Sequence, residues 1–419
     1  MIDLIVVGGG AGGLAVAIES KQLGHHVLLI EREEQLGGIL NQCIHNGFGL
    51  EVFKQEYTGP EYAHQFIESF LSEDIDYLLD TTVINISKHK DTFLVKTSNE
   101  DQGIKTYESK AVVLSTGSYE RTIGQISIPG DRPYGVITAG SAQRYLNIDG
   151  YMVGKKVFIL GSGDIGLIMA RRMKLEGAEV LGVAEILPYS NGLTRNIVQC
   201  LNDFDIPLYL SHTVTKINGD EHHRLKSIEL SRVDDQFQPI SGSEIEFNVD
   251  TLLLSIGLIP DVTLLDELGV EIDPLSKSAV IDQTYQTNIE GLFLCGNALQ
   301  IHDLVDNVTL ESQRAGKAIH KYLNHKKSKR KHIHMIAGNM IGYVTPQRID
   351  LNASFDDVLV SFRSKQKIEK ATMTFYQGNQ MIYKKNLMFV LPAEMETIKL
   401  PLDLLKTEDD VTLHLEVRG

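Results

Sequence analysis

Cysteine is scarce in this chain. Only Cys43, Cys200 and Cys295 occur among 419 residues, too dispersed for a close-spaced redox pair, a zinc knuckle or a four-cysteine iron–sulfur site. So few thiols suit a reducing cytoplasm. Positive charge is also in deficit: 40 Lys and Arg face 55 Asp and Glu, a net charge of -15, which argues against a nucleic-acid binder with a broad basic face. The one basic block, "HKKSKRKH" at 325–332, is read as a solvated linker. No uninterrupted apolar run is long enough to span a bilayer. The apolar opening, Leu4 to Ile18, follows Asp3, has no basic leader and carries regularly spaced glycines, so it is read as fold and not as a signal sequence.

What is present is glycine in a particular spacing. In "DLIVVGGGAGGLAVAIESKQLGHHVLLIERE" an apolar strand runs into Gly8, Gly10 and Gly13, then a helix, then a second strand closed by Glu31. The chemistry needs this arrangement: the first glycine allows the tight turn and the second lets a pyrophosphate approach backbone N–H groups. The third lets helix and strand pack, and the acidic residue receives ribose hydroxyls. The unit recurs as "KKVFILGSGDIGLIMARRMKLEGAEVLGVAEI", with Gly161, Gly163, Gly166 and Glu185. Two such units imply two nucleotides, a flavin and a nicotinamide. Ile186, Leu187 and Pro188 follow Glu185 with no adjacent arginine, which favours NAD over NADP; Arg171, Arg172 and Arg195 keep NADP open.

The stretches "AVVLSTGSYER" and "DTLLLSIGLIPD" bracket the second unit. "NIEGLFLCGNALQIHDLVDNVTLESQRAGKAI" then supplies a strand, a polar turn and a helix. This order resembles the two-dinucleotide-binding flavoproteins, in which the NAD domain is inserted into the FAD domain. The expected fold is therefore α/β, with two Rossmann-like dinucleotide-binding domains: FAD at 1–120 and 260–325, NAD at 121–259. Gly38, Thr116, Gly117, Gly257, Gly296, Asn297 and Asp303 join the cofactor-binding residues on this resemblance. Asn297 stands where the broad family has aspartate, and it keeps hydrogen-bonding capacity without the charge. Over 332–419, short alternating stretches such as "DDVLVSFRS" and "VTLHLEVRG" predict a small antiparallel β-sandwich. His332 and His334 are read as linker residues, and no metal site is expected.

Longer stretches narrow the resemblance. "GGILNQCIHNGFGL", "TAGSAQRYLNIDGYMVGKKVFILGSGDIGLIMARR", "CGNALQIHDLVDNV" and "YVTPQRI" are similar to the FAD/NAD-dependent oxidoreductase encoded beside a glycerol-3-phosphate dehydrogenase. That resemblance implies a cytoplasmic enzyme passing hydride between NAD(H) and FAD, with a partner flavoprotein of the glycerol-3-phosphate dehydrogenase kind or a small redox protein. An oligomer is compatible with it. Alternatives are the FAD-binding subunit of an amino-acid or other small-molecule dehydrogenase, or a non-catalytic assembly subunit. In "LGGILNQCIHNGFG" the turn has Gly38 and a single cysteine, where a disulfide reductase carries two, so disulfide reduction is not expected. Cys43, with His45 as base, and His302, as a proton gate, are the catalytic candidates. Asp303 and Asp306 lie beside His302 at the start of the last helix, whose N-terminus would favour negative charge on reduced flavin.

Overall fold

The computed structural model describes residues 1–324 and 329–418. The chain forms two compact units. One comprises Met1–Asn41, Asn46–Ser118 and the chain from Pro260 onward; the other comprises Gln42–His45 and Tyr119–Ile259.

The first unit is built on a sheet whose strands run, in order, Asp76–Leu78, Val27–Ile30, Ile2–Val7, Gly103–Leu114, Thr92–Asn99 and Thr81–His89, with Leu292–Leu294 also pairing to Gly103–Leu114. Strands covered on both faces read as continuous apolar runs and pair in parallel. Leu4–Val7 and Val27–Ile30 are such runs, fully buried, in register Leu4 to Val27 and Val7 to Ile30. Each Leu or Ile so buried contributes about 1.5–3 kcal/mol. The antiparallel meander 81–114 alternates instead, with Val83, Ile86, Phe93 and Val95 inward. Helix Ala11–Gln22 follows the central strand. The long helix Val305–Asn324 buries a stripe of small residues, Thr309, Ser312, Ala315 and Gly316.

The second unit has a five-stranded, wholly parallel sheet in the order Val136–Thr138, Thr251–Leu254, Lys156–Leu160, Glu179–Glu185, Leu208–Leu210. A three-stranded antiparallel sheet, His212–Gly219, Leu225–Arg232 and Ile245–Asn248, accompanies it. Helix Asp164–Leu175 leaves the strand Lys156–Leu160 as Ala11–Gln22 leaves Ile2–Val7. The α/β fold with two Rossmann-like sheets expected from the sequence is the fold of the molecule.

The C-terminal strands form two sheets, one of five strands and one of three, around Val360, Phe362, Phe375, Leu413 and Leu415. They are not wholly antiparallel as expected. Met335–Ala337 pairs in parallel with Val411–Leu413, because the strand that opens the module and the strand that closes it lie side by side. The module belongs to the first unit through paired backbone and amide contacts: Gln283 Nε2 donates to Asp350 O and Asp350 N–H to Gln283 Oε1, both at 2.8 Å. Arg348 N–H donates to Ile281 O. The linker reading of 325–332 falls partly on residues outside those described. His332 and His334 are strand residues, not linker, and His332 Nε2 lies 3.2 Å from Asp282 Oδ2. Asp282, His332 and Asp350 could present ligand atoms within 4.8 Å of one another. Arg330 Nη1, at 3.5 Å from the same Asp282 oxygen, already brings a fixed positive charge there, so the group reads as an ion-pair network.

Candidate functional site

Each fingerprint forms a strand–turn–helix. Gly8 takes φ +104°, and a Cβ there would lie 2.4 Å from Ser115 O; a Cβ on Gly13 would lie 1.8 Å from Gly8 O. Both positions therefore require glycine, one for its turn and one for helix-on-strand packing. Around Gly10 the nearest atom to such a Cβ is Gly38 Cα at 4.0 Å, leaving the backbone open on that side. Helix Ala11–Gln22 begins there with no side-chain cap and no acidic residue in its first turn. Its orphan N–H groups and dipole fit a pyrophosphate. Glu31 is buried at the end of its strand, accepting from Gly9 N–H at 2.5 Å and Glu33 N–H at 2.8 Å.

The turn Gly296–Ala298 meets this fingerprint from the other side: a Cβ on Gly296 would be 4.0 Å from Gly12 Cα. Buried Glu311 organises the turn, accepting from Gly296 N–H at 2.8 Å and Gln300 Nε2 at 2.6 Å. His302 Nε2 stands 3.2 Å from Glu311 Oε1, with its side chain 4% exposed. Despite that approach, neither ring nitrogen of His302 has a hydrogen-bond partner, and Gln300 Oε1 also lacks one. Orphaned buried polar atoms are rare and call for a missing partner. At the rim of a glycine cradle, they fit the polar edge of a bound flavin dinucleotide. Asn297 Oδ1 accepts His302 N–H at 3.1 Å.

In the second unit Gly161, Gly163 and Gly166 open helix Asp164–Leu175. Buried Glu185 accepts from Ser162 N–H at 3.1 Å, Ser162 Oγ at 2.6 Å and Leu187 N–H at 3.1 Å. Here too the helix start has no side-chain cap, but Asp164 is in its first turn. Its Oδ1 is occupied by Leu193 N–H and Asn196 Nδ2. The donor set fits a second dinucleotide, with Glu185 placed as Glu31 is.

Residues 2–333 match the model of the pyridine nucleotide-disulphide oxidoreductase family. The chain belongs to that family. Ferredoxin–NADP reductase 1 of Bacillus thuringiensis (strain Al Hakam) is 25% identical over 341 residues, 77% of this chain and 88% of the relative. The glutamate synthase [NADPH] small chain of Mycobacterium tuberculosis (strain ATCC 25618 / H37Rv) is 25% identical, over 76% of this chain and 66% of its own length. An opine oxidase subunit of Agrobacterium tumefaciens (strain Ach5) is 24% identical, over 71% of this chain and 61% of its own length. The fold is that of T. acidophilum thioredoxin reductase, with a TM-score of 0.63 at 22% identity over 76% of this chain and 98% of that one. Membership makes the protein a flavoprotein oxidoreductase using FAD and a nicotinamide dinucleotide.

Within this family the single cysteine of the turn bears directly on the route of electrons. Gln42–His45 belongs to the second unit. Gln42 Nε2 donates to Gly140 O at 3.0 Å, and Cys43 Sγ lies 3.8 Å from Gln143 Oε1. His45 is half-buried in the same segment. No disulfide joins Cys43, Cys200 and Cys295. Although Cys43 keeps some solvent exposure, burial pushes its thiol up to about 12, and burial pushes Cys295 to about 12 as well. Burial therefore disfavours the Cys43 thiolate at neutral pH. This is the reverse of what the nucleophile reading of Cys43 with His45 requires. Labelling by iodoacetamide at neutral pH is expected to be slow at Cys43 in the native protein and normal in urea, as read by mass spectrometry.

Thr116 Oγ1 donates to Asp261 O at 2.6 Å, and Gly117 O accepts from Asp261 N–H; these residues clasp two neighbouring stretches of backbone. Gly257 O likewise accepts from Arg121 N–H. Asp303 binds Arg363 and Met395 N–H, so its carboxylate holds the C-terminal module. Glu311 was missed, although its signal is visible: a carboxylate among the small buried residues of a helix stripe. Asp306 was noticed only for its place near His302. It accepts from three backbone N–H groups, Gly49, Glu51 and Val52.

Proposed function

We propose that this flavoprotein moves hydride between NAD(H) and its own FAD without passing through thiols, and exchanges electrons with a partner. That partner is either a flavoprotein of the glycerol-3-phosphate dehydrogenase kind or a small redox protein. The observation that carries the reading is the pair of complete fingerprints, each ending in a buried carboxylate held by glycine-loop N–H groups. FAD and nicotinamide, when bound, supply the two-electron chemistry. The chain binds and aligns. Glu31 and Glu185 receive ribose hydroxyls, and the uncapped start of Ala11–Gln22 takes the pyrophosphate. The N-terminal end of Val305–Asn324 favours negative charge, and the His302 ring lies 3.2 Å from Glu311 at the same end. In this reading the cysteines stay out of the reaction, which the burial that disfavours the Cys43 thiolate supports. Glu185, with no arginine beside it, supports NAD, whereas two of the relatives carry NADP or NADPH in their names. The stretches from "GGILNQCIHNGFGL" to "YVTPQRI" support the glycerol-3-phosphate dehydrogenase context and a cytoplasmic setting. No helix among the described residues is long and apolar enough to cross a membrane.

Anaerobic stopped-flow of the FAD-loaded chain tests this. NADH is expected to bleach the flavin rapidly, NADPH slowly; Cys43→Ser should stay within about twofold of wild type, and His302→Asn should lower the rate. If neither nucleotide bleaches the flavin, the oxidoreductase reading falls and a role in assembly replaces it. Similarity to the opine oxidase protein favours one other reading, the FAD-carrying component of a small-molecule dehydrogenase. Bleaching by an amino acid or opine without NADH would establish that alternative.

A further inference from the structure

The C-terminal module reaches the flavin-side turn through the Arg363 side chain and the Met395 N–H. Arg363, on the strand Asp357–Ser364, is largely buried, with its side chain 16% exposed. Its guanidinium Nη2 donates to Ile301 O at 3.0 Å and to Asp303 Oδ1; Nη1 donates to Pro392 O at 3.2 Å and to Ala393 O; Nε donates to Tyr343 Oη at 3.3 Å. The other Asp303 oxygen accepts from Met395 N–H at 2.7 Å. Five acceptors around one planar fork fix both the module and the loop, as arginine geometry allows and lysine geometry does not. Between Ile301 and Asp303 stands His302, whose N–H is held by Asn297 and whose ring faces Glu311. Glu311 in turn holds Gly296.

We propose that Arg363 is a positioning residue for the flavin: it sets the loop 301–303, and through it the turn 296–297 and the His302–Glu311 pair. The C-terminal module is then part of the cofactor site's scaffold and not merely an appendage. This rests on the reading of the first fingerprint as the FAD site. A site held within fractions of an ångström depends on its supporting shell, so loosening the loop changes both how tightly the flavin is held and the charge it meets.

The test uses the full chain as wild type, R363M, R363K and D303N, measuring FAD dissociation by flavin fluorescence and midpoint potential against redox dyes. R363M is expected to release FAD about tenfold more readily and to shift the potential, with R363K intermediate and D303N resembling R363M. A purely structural role in the β module would lower the melting temperature and leave the potential of bound flavin unmoved. Should R363M fold poorly, R363K and D303N decide by the same two measurements. Wild-type FAD affinity and potential in R363K and D303N would overturn the proposal. A wild-type chain that retains no FAD would instead overturn the reading of the site itself.

Discussion

Gly166→Val is expected to keep its FAD and lose nearly all nicotinamide-driven flavin reduction. A Cβ at Gly166 would lie 2.7 Å from Ser255 Cβ and 2.8 Å from Gly161 O, so the helix Asp164–Leu175 must retreat from its strand. The retreat also breaks the bond from Gly166 N–H to Ser255 Oγ at 3.1 Å. Misplacing a reacting group by about 1 Å costs roughly a hundredfold in rate, and stopped-flow bleaching by NADH should fall by at least that factor. The FAD content of the purified variant should match wild type, because Gly166 lies in the unit that holds the second fingerprint. Gly13→Val, its counterpart, should lose FAD outright, since its Cβ would meet Gly8 O at 1.8 Å. If Gly166→Val is reduced by NADH at the wild-type rate, the second fingerprint is not the nicotinamide site.

The largest single loss of stability is expected at Asp306. Its carboxylate, 2% exposed, accepts Gly49 N–H at 2.9 Å, Glu51 N–H at 3.1 Å and Val52 N–H at 2.9 Å. Asp306→Ala leaves these donors without a partner, at about 3–5 kcal/mol in total once water reaches the more exposed of them. Asp306→Asn keeps one acceptor oxygen and turns an amide against a remaining donor, so it should lose about half as much. Urea unfolding of the full chain measures both. Equal midpoints for wild type and Asp306→Ala would show that the loop 49–52 does not depend on this carboxylate.

The contrast between these sites explains what the sequence could reveal. The strand–glycine–helix turns are legible because their constraints are local: Gly8 meets Gly13 five residues on, and Glu31 closes the next strand. The small-residue stripe of Val305–Asn324 is legible as a packing face, which hides Glu311 as a presumed exception. Asp306 and Arg363 leave no such trace. Asp306 serves a loop about 255 residues earlier in the chain, and Arg363 serves a loop 60 residues earlier; neither distance has a period. The alternation 332–417 gives strands but not their direction, so the parallel pairing of the module's first and last strands escaped it. The partners of the Cys43 turn are equally distant in sequence: the Gln42 side chain donates to Gly140 O, and Gln42 O accepts from Asn147 Nδ2.

The central sheet of the first unit has a consequence for synthesis. Residues 112–114 are flanked by Ile2–Val7 on one edge and by Leu292–Leu294 on the other, and all of the second unit except Gln42–His45 emerges between these strands. At ribosomal speed the interval is roughly 10–35 s. During that time the second unit can complete its own parallel sheet, while Val112–Leu114 waits with an unpaired edge. Nascent chains should therefore acquire competence for nicotinamide before competence for flavin.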